Sequence, residues 1–499
     1  MQTRQFSILG LLLVMWAVLL IRVDASWFGE QEATRTWIPA AVRNYDVYGL
    51  QTTGLIPIRN TAPTTPENFD HYSHHPPMMV WLPAFTTRLF GFNEVGVRFG
   101  FIAVTLLTIA AFYVLVRRLY SVPVAFWAAL FFAVIPMTAY LGRVPGQSLP
   151  ALLVSVLFGA VLINWLKAPT RPRLLLLGVL AALAVWTAWV AVFFVGFMGL
   201  AAFWVGSRSQ KVAVVGLGVL CVVMFFALMG FYQWQWAGAI ESILDAFVYR
   251  TSNQSFQRGS EDFTLWDFFG RMGLHLVAFT TPGFMALALL GLLAFRKRSS
   301  RLSTAVFIGL LLGGLMYQLV FRNASYIHNY YKAFMTPAMA IAAGMAVVYL
   351  RDDRRFRRFS RPVIDGLILT TILLSVGVGY ILHRTGEQPW LEAVIQTINA
   401  QATPEDTIML QFLANRDGSS VNYTQPTEFY TFRRIAWDTT PEAARRMAET
   451  QPVFYIYCRD DVDKPGLEAL LTVFPSHPYE TVYPETCWLF QLQPTNPAT

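Results

Sequence analysis

Residues 174–206 read LLLLGVLAALAVWTAWVAVFFVGFMGLAAFWVG, and not one of them is charged. The hydrocarbon core of a bilayer is about 30 Å thick and takes roughly 20 apolar helical residues to cross. The block is long for one crossing and short for two. It reads either as one span or as a tight hairpin of short helices, and the choice fixes the side of everything downstream. Lys167, Arg171 and Arg173 precede the block, and Arg208 and Lys211 follow it. Basic residues gather on the cytoplasmic side of membrane spans. Two crossings return the chain to the side it left, so that both basic groups share it. The charge pattern therefore selects the hairpin.

The same test sorts the rest of the chain. Spans are expected at about 6–23 after Arg4, 95–116 before Arg117-Arg118, 122–141, and 149–166 before Lys167. The hairpin follows. Further spans are expected at about 212–232, 272–295 before Arg296-Lys297-Arg298, 303–321, 333–350 before Arg351, Arg354 and Arg355, and 363–382. With about eleven crossings, every strong basic cluster falls on one side, read as the cytoplasm. The segment 6–23 lacks a small-residue cleavage site and reads as an uncleaved first span. The other side receives the loop 24–94, the loop 233–270 and the tail 384–499. The N-terminus is thus expected in the cytoplasm and the tail outside it, in a multi-pass plasma (inner) membrane protein.

Composition agrees. Hydrophobic residues make up 55% of the 499 and charged ones only 14%, against roughly 25% charged in soluble proteins; mean hydropathy is +0.44. Buried backbone must bond internally in lipid, so the spans are helices. The net charge of +8 sits at span ends, which argues against nucleic acid as a partner. Cys221, Cys458 and Cys487 have no metal-ligand spacing and make no disulfide framework, although Cys458 and Cys487 could pair in an oxidising compartment.

The tail alternates strand-like runs (407–412, 453–457, 488–492) with helix-like ones (440–450, 464–471). Thr440-Pro441-Glu442-Ala443 is a helix start, with Thr as N-cap and Pro in the first position. The expected architecture is an all-α polytopic membrane domain over 1–383 and a small extracytoplasmic α/β domain over 384–499.

Loop 24–94 is unlike a passive connector. It carries Asp24, then Gly29-Glu30-Gln31-Glu32, a helical stretch to Tyr45 and a Gly/Pro/Thr-rich segment. His71-Tyr72-Ser73-His74-His75-Pro76-Pro77 follows, then an apolar stretch to Phe90 that is too short to span and suits an interfacial helix. Carboxylates at a membrane surface can take a proton from an acceptor while a phosphate leaves a lipid carrier. The leaving phosphate needs cations and donors. His74, His75, Arg98, Arg143, Arg322, His328, Tyr330, Tyr331 and Lys332 lie at outer span ends or in outer loops and could ring it. Plainer readings stand beside these. Asp24 could mark the water boundary of the first span, Glu30 and Glu32 a solvated helix start, and His328-Asn329-Tyr330-Tyr331-Lys332 an aromatic belt. Adjacent His74 and His75 lack the i, i+4 spacing of a helical metal pair. A charge as deep as Arg98 in a span is costly and points to a paired or functional role.

Three stretches together resemble the GT-C superfamily of polyprenyl-phosphate-sugar-dependent glycosyltransferases, in its protein mannosyltransferase-like and aminoarabinose-transferase-like branch. Glu30-Gln31-Glu32-Ala33-Thr34 with Ala41-Val42-Arg43-Asn44-Tyr45 is similar to the acidic motif and following helix of the first outer loop. Tyr72-Ser73-His74-His75-Pro76-Pro77 with Arg98 looks like the family's histidine–proline stretch. Tyr326-Ile327-His328-Asn329-Tyr330-Tyr331 with Pro337 resembles the approach to a late span. The resemblance implies a GT-C fold and transfer of a sugar from a polyprenyl-phosphate donor to a glycan, lipid or protein acceptor outside the cytoplasm. Glu32, then Glu30, then Asp24 are the expected bases. No cofactor is called for, and the resemblance leaves a divalent metal open. Where family members often carry a second acid after the third span, this chain has Gln147, which cannot act as a base. The rival readings are a transporter or flippase of lipid-linked sugars, whose sites would lie at mid-membrane, and a non-catalytic outer-face protein.

Overall fold

The computed structural model describes residues 2–29, 31–254, 262–352, 361–384, 386–403, 406–413, 423–437, 440–459, 466–475, 477–484 and 486–493. The chain divides into two units. The first comprises Met1–Ala25, Gly49–Pro57 and His71–His383, and the second Ser26–Tyr48, Ile58–Asp70 and Arg384–Thr499.

The first unit is helical. Among the described residues six helices are long and apolar enough to cross a membrane, Glu94–Leu119, Ser148–Lys167, Arg208–Gln235 and Arg301–Val320 among them. Shorter apolar helices, including Val122–Val134 and Trp189–Val205, supply further blocks. The decisive stretch folds as two helices, Arg171–Thr187 and Trp189–Val205, broken at Ala188. Arg173 donates to the carbonyls of Asn164 and Ala168, and Arg301 to that of Trp204. Lys167 reaches the Arg118 carbonyl. Both outer ends of the pair therefore lie at one basic end of the bundle. At the break, Trp189 Nε1 donates to the His74 carbonyl at 2.9 Å. The pair leaves the basic end and returns to it, as the charge pattern requires.

Close packing joins the hairpin to its neighbour. A Cβ on Gly313 of helix Arg301–Val320 would lie 2.9 Å from Phe194 Cα. Small residues let membrane helices approach where water supplies no driving force between them. Two expected spans are broken rather than continuous. The span 122–141 is interrupted at Ile135, between helices Val122–Val134 and Pro136–Leu141. The block 272–295 is two helices, Leu265–Thr280 and Pro282–Arg298, bent by 106°. Pro282 lacks an N–H and disfavours helical geometry in the residue before it. Thr281 takes φ +71°, and its hydroxyl meets that of Ser375 at 3.1 Å.

The second unit is built on a five-stranded sheet of β1 (Thr407–Leu413), β2 (Ile435–Trp437), β3 (Val453–Arg459), β4 (Tyr479–Tyr483) and β5 (Cys487–Leu492), in the order β2-β1-β3-β5-β4. β1 pairs parallel with β2 and β3; β5 runs antiparallel to β3 and β4. Alternate residues feed two cores. Ile408, Leu410 and Ile456 pack with Val394 and Ile398, while Met409, Tyr455 and Tyr457 pack with Leu470 and Phe474. Both faces are covered, so β3 is an almost continuous buried run. Thr440 caps helix Pro441–Met447 through the Ala443 N–H, as expected. The one pairing left open in the sequence is present: Cys458 and Cys487 sit opposite one another in β3 and β5 and are bonded. The sequence separates them by 29 residues, and only the strand register brings them together.

Helix Trp37–Tyr48 belongs to this unit. Its Arg43 donates to the carbonyls of Phe429 (2.7 Å) and Thr61 (2.5 Å) and lies over the rings of Phe429 and Phe432. Burial pushes Arg43 down to about 10, which leaves it charged at neutral pH. Asn44 donates to the carbonyls of Ile58 and Asn60. These two motif residues are thus spent on holding loop backbone.

Candidate active site

The first helix, Gln2–Leu20, ends in a turn that carries Asp24. Arg98 lies just inside helix Glu94–Leu119, whose start is fixed by Asn93 accepting from the Gly96 N–H at 2.8 Å. Its guanidinium is fully buried and donates to the carbonyls of Val23 (2.7 Å) and Ala25 (2.5 Å), the two residues that flank Asp24. Arg143, equally buried, follows helix Pro136–Leu141 and donates to the carbonyls of Ile21 and Arg22. A buried guanidinium must be satisfied, and each charge-assisted bond contributes about 1.5–3 kcal/mol. The two arginines clamp the turn 21–25 from two sides. Asp24 itself is exposed.

The histidine segment is anchored on other helices. Tyr232 Oη donates to the His75 carbonyl at 2.7 Å. His74 Nε2 meets Ser242 Oγ at 3.1 Å, and His71 stacks on Trp236 at 5.0 Å. The Arg250 guanidinium donates to His75 Nε2 at 2.6 Å, so that nitrogen carries no proton and the ring's N–H is on Nδ1. Gln147 Nε2 stands 3.5 Å from the same nitrogen.

Beside Arg250 lies a cavity of about 590 Å³. Trp189, Phe193, Phe225, Phe247, Tyr317 and Phe321 wall it, and among the described residues its ionisable lining is His74, Arg250, Tyr317 and Cys221. Several wall residues remain open at the surface of the unit; Phe226 is 66% exposed. Tyr72, Tyr317, Tyr330 and Tyr331 are near enough to Arg250 to interact with it electrostatically. Tyr317 stacks on Tyr331, and Tyr330 on both Tyr331 and His328.

The residues singled out in the sequence thus separate. His74, His75, Tyr330 and Tyr331 gather with Arg250. Arg98 and Arg143 hold the Asp24 turn instead. Arg322 donates to the Thr251 carbonyl at 3.4 Å, and the buried Lys332 to that of Ser325 at 2.5 Å. Glu32 is buried in the second unit, and Glu30 lies outside the described residues. No group of three or more His, Cys, Asp or Glu able to hold a metal occurs among the described residues. Sequence reasoning missed Arg250. Its signal was an arginine among Phe247, Val248 and Tyr249 on the outer side, where the charge rule expects few.

One loop ties the two groups together. Arg143 grips the Asp24 turn, and Gln147, four positions on, touches His75. Four residues span at most about 14 Å, so Asp24 and Arg250 belong to one end of the first unit.

Comparison with solved structures places this arrangement. ArnT from Cupriavidus metallidurans bound to undecaprenyl phosphate superposes with a TM-score of 0.64 over 98% of both chains, at 13% identity. This is the GT-C fold. The archaeal oligosaccharyltransferase AglB from Archaeoglobus fulgidus, in complex with an inhibitory peptide and a dolichol-phosphate, shares the GT-C fold with a TM-score of 0.50. It is 13% identical over 91% of this chain and 69% of its own. The arabinofuranosyltransferase AftD from Mycobacteria gives 0.52 at 10% identity, over 99% of this chain and 40% of its own. Residues 74–234 match the family model of dolichyl-phosphate-mannose-protein mannosyltransferase; no curated protein sequence matches the chain. The resemblance to GT-C glycosyltransferases read from the sequence is borne out.

Proposed function

We propose that the protein is a membrane glycosyltransferase that takes a sugar from a polyprenyl-phosphate donor and gives it to an acceptor on the non-cytoplasmic side. The supporting observation is the apolar cavity whose wall is open at the surface and which ends at Arg250 and His74, beside His75. Its shape and chemistry suit a prenyl chain in the cavity and a phosphate at the arginine. The solved ArnT and AglB bind such lipid phosphates.

In the transfer, the acceptor oxygen or nitrogen attacks the anomeric carbon of the sugar. The bond from that carbon to the phosphate oxygen breaks, and its electron pair stays with the polyprenyl phosphate. Arg250 and the tyrosine hydroxyls around it offset the charge that develops there. The acceptor's proton goes to a carboxylate. Asp24 is the better candidate, ahead of Glu32 and Glu30, because its turn is held by Arg98 and Arg143 while its side chain is exposed. A base held in place contributes about 10²–10⁴-fold. The sugar and the acceptor (glycan, lipid or protein) are for experiment to name.

Purified protein is given synthetic polyprenyl-phosphate sugars and candidate acceptors. Asp24→Asn is expected to lower turnover by at least about 10²-fold and to leave undecaprenyl phosphate binding intact. Full turnover in Asp24→Asn would pass the role to Glu32. Failure of the wild type to bind undecaprenyl phosphate would remove the donor.

A further inference from the structure

Gln147 and Ser148 start helix Ser148–Lys167. Both are 4% exposed. The Gln147 amide turns its nitrogen toward His75 Nε2. The lone pair of that nitrogen is taken by Arg250, so the amide nitrogen stands beside it as a contact at 3.5 Å. Gln147 Oε1 then faces away from His75. Among the described residues it has no hydrogen-bond partner, and neither does Ser148 Oγ. A buried polar atom left unpaired is costly, and native proteins rarely tolerate one without a reason. Two in consecutive residues, at the opening turn of a helix whose first N–H groups also lack intrahelical partners, leave hydrogen-bonding capacity that hydroxyl groups could satisfy.

Its position narrows the occupant. On one side, through His75, is Arg250 at the head of the apolar cavity. On the other, through Arg143, is the Asp24 turn. If the donor phosphate sits at the first and the acceptor is activated at the second, the group passed between them lies beside Gln147. We infer that Gln147 and Ser148 form the subsite that reads the transferred sugar. Gln147 Oε1 accepts from one ring hydroxyl, and Ser148 Oγ bonds a second. This rests on the donor reading above. In this role Gln147 recognises the sugar and moves no proton.

The test compares the affinity of the purified full-length protein for undecaprenyl phosphate with its affinity for undecaprenyl phosphates carrying a hexose or a pentose. The wild type is expected to bind at least one sugar-bearing lipid about tenfold more tightly than the bare phosphate, the worth of one good hydrogen bond. Gln147→Leu should lower that ratio about threefold while leaving the bare phosphate's affinity unchanged. Ser148→Ala, which removes a single oxygen and spares the packing, should lower the ratio about threefold. An equal preference in wild type and both variants overturns the subsite, as does a wild type blind to the sugar. Absence of any undecaprenyl phosphate binding overturns the donor reading itself and this inference with it.

Discussion

Arg98 and Arg250 carry the same charge at the same end of the first unit, yet their partners give them different work. Arg98 puts one guanidinium nitrogen on the carbonyls of Val23 and Ala25, which ties it to the Asp24 turn. Arg250 spends one donor on His75 and faces the cavity with the rest. Arg250→Ala should therefore weaken undecaprenyl phosphate binding by about 10–100-fold, the worth of a charge-assisted bond. Arg98→Leu should leave that binding within about threefold and slow transfer by about 10²-fold, because a displaced base costs rate. Calorimetric titration beside turnover separates the two. Equal loss of binding in both variants would restore Arg98 to the phosphate. The sequence told that Arg98 was too costly to be idle, but not what it would bond. Its carbonyl partners lie 73 and 75 residues away and carry no side-chain signature. Arg250 escaped notice for the complementary reason: a lone basic residue in a loop has no pattern until the fold brings His75 to it.

At the scale of elements, helix Ala239–Thr251 forms one wall of the cavity through Ile243, Leu244, Ala246 and Phe247. Ala246 is its smallest contribution. Ala246→Trp fills the space that the prenyl chain would take, and each displaced methylene forfeits about 0.8 kcal/mol of burial. Affinity for undecaprenyl phosphate should fall at least tenfold, while a ten-carbon prenyl phosphate, which needs less of the cavity, should bind nearly as before. Equal affinities for the long lipid in variant and wild type would place the chain elsewhere. Elements of this kind differ in how well sequence announces them. The hairpin 174–206 was legible because charge on both flanks counts crossings, and helix Pro441–Met447 because Thr440-Pro441 states its start. The bend at Thr281 was not, although Pro282 was in plain view. Hydropathy over 272–295 averages the break away, and the cost of holding a β-branched residue at positive φ shows only in the backbone. The cavity wall was equally hidden, since its apolar residues look the same whether they face lipid, protein or an empty groove.

For the whole molecule, two independent observations bear on sidedness. Lys167, Arg173 and Arg301 meet at one end of the first unit, where they bond the backbones of neighbouring helices, as a cytoplasmic end requires. The second unit holds a disulfide between Cys458 and Cys487, which cytosolic thiols would keep reduced and an oxidising compartment preserves. Both expectations name the same orientation: N-terminus inside, tail outside. A periplasmic-type phosphatase reporter fused after residue 384 should be active, and a cytosol-only fluorescent reporter at that point dark. In cells lysed directly into denaturant, a bulky maleimide should label Cys458 and Cys487, both buried in the folded unit, only after reduction. The bond also has a thermodynamic consequence. Closing a loop of this length stabilises a fold by about 3 to 4 kcal/mol, so replacing both cysteines by serine should lower the unfolding temperature of the second unit measurably. The Cys221→Ser variant, which has no such bond to lose, should leave that transition where it was. A tail whose cysteines react at once, with a dark phosphatase beside them, would invert the molecule. It would leave the Asp24 turn facing the cytoplasm, where neither the donor nor the acceptor proposed for it could reach.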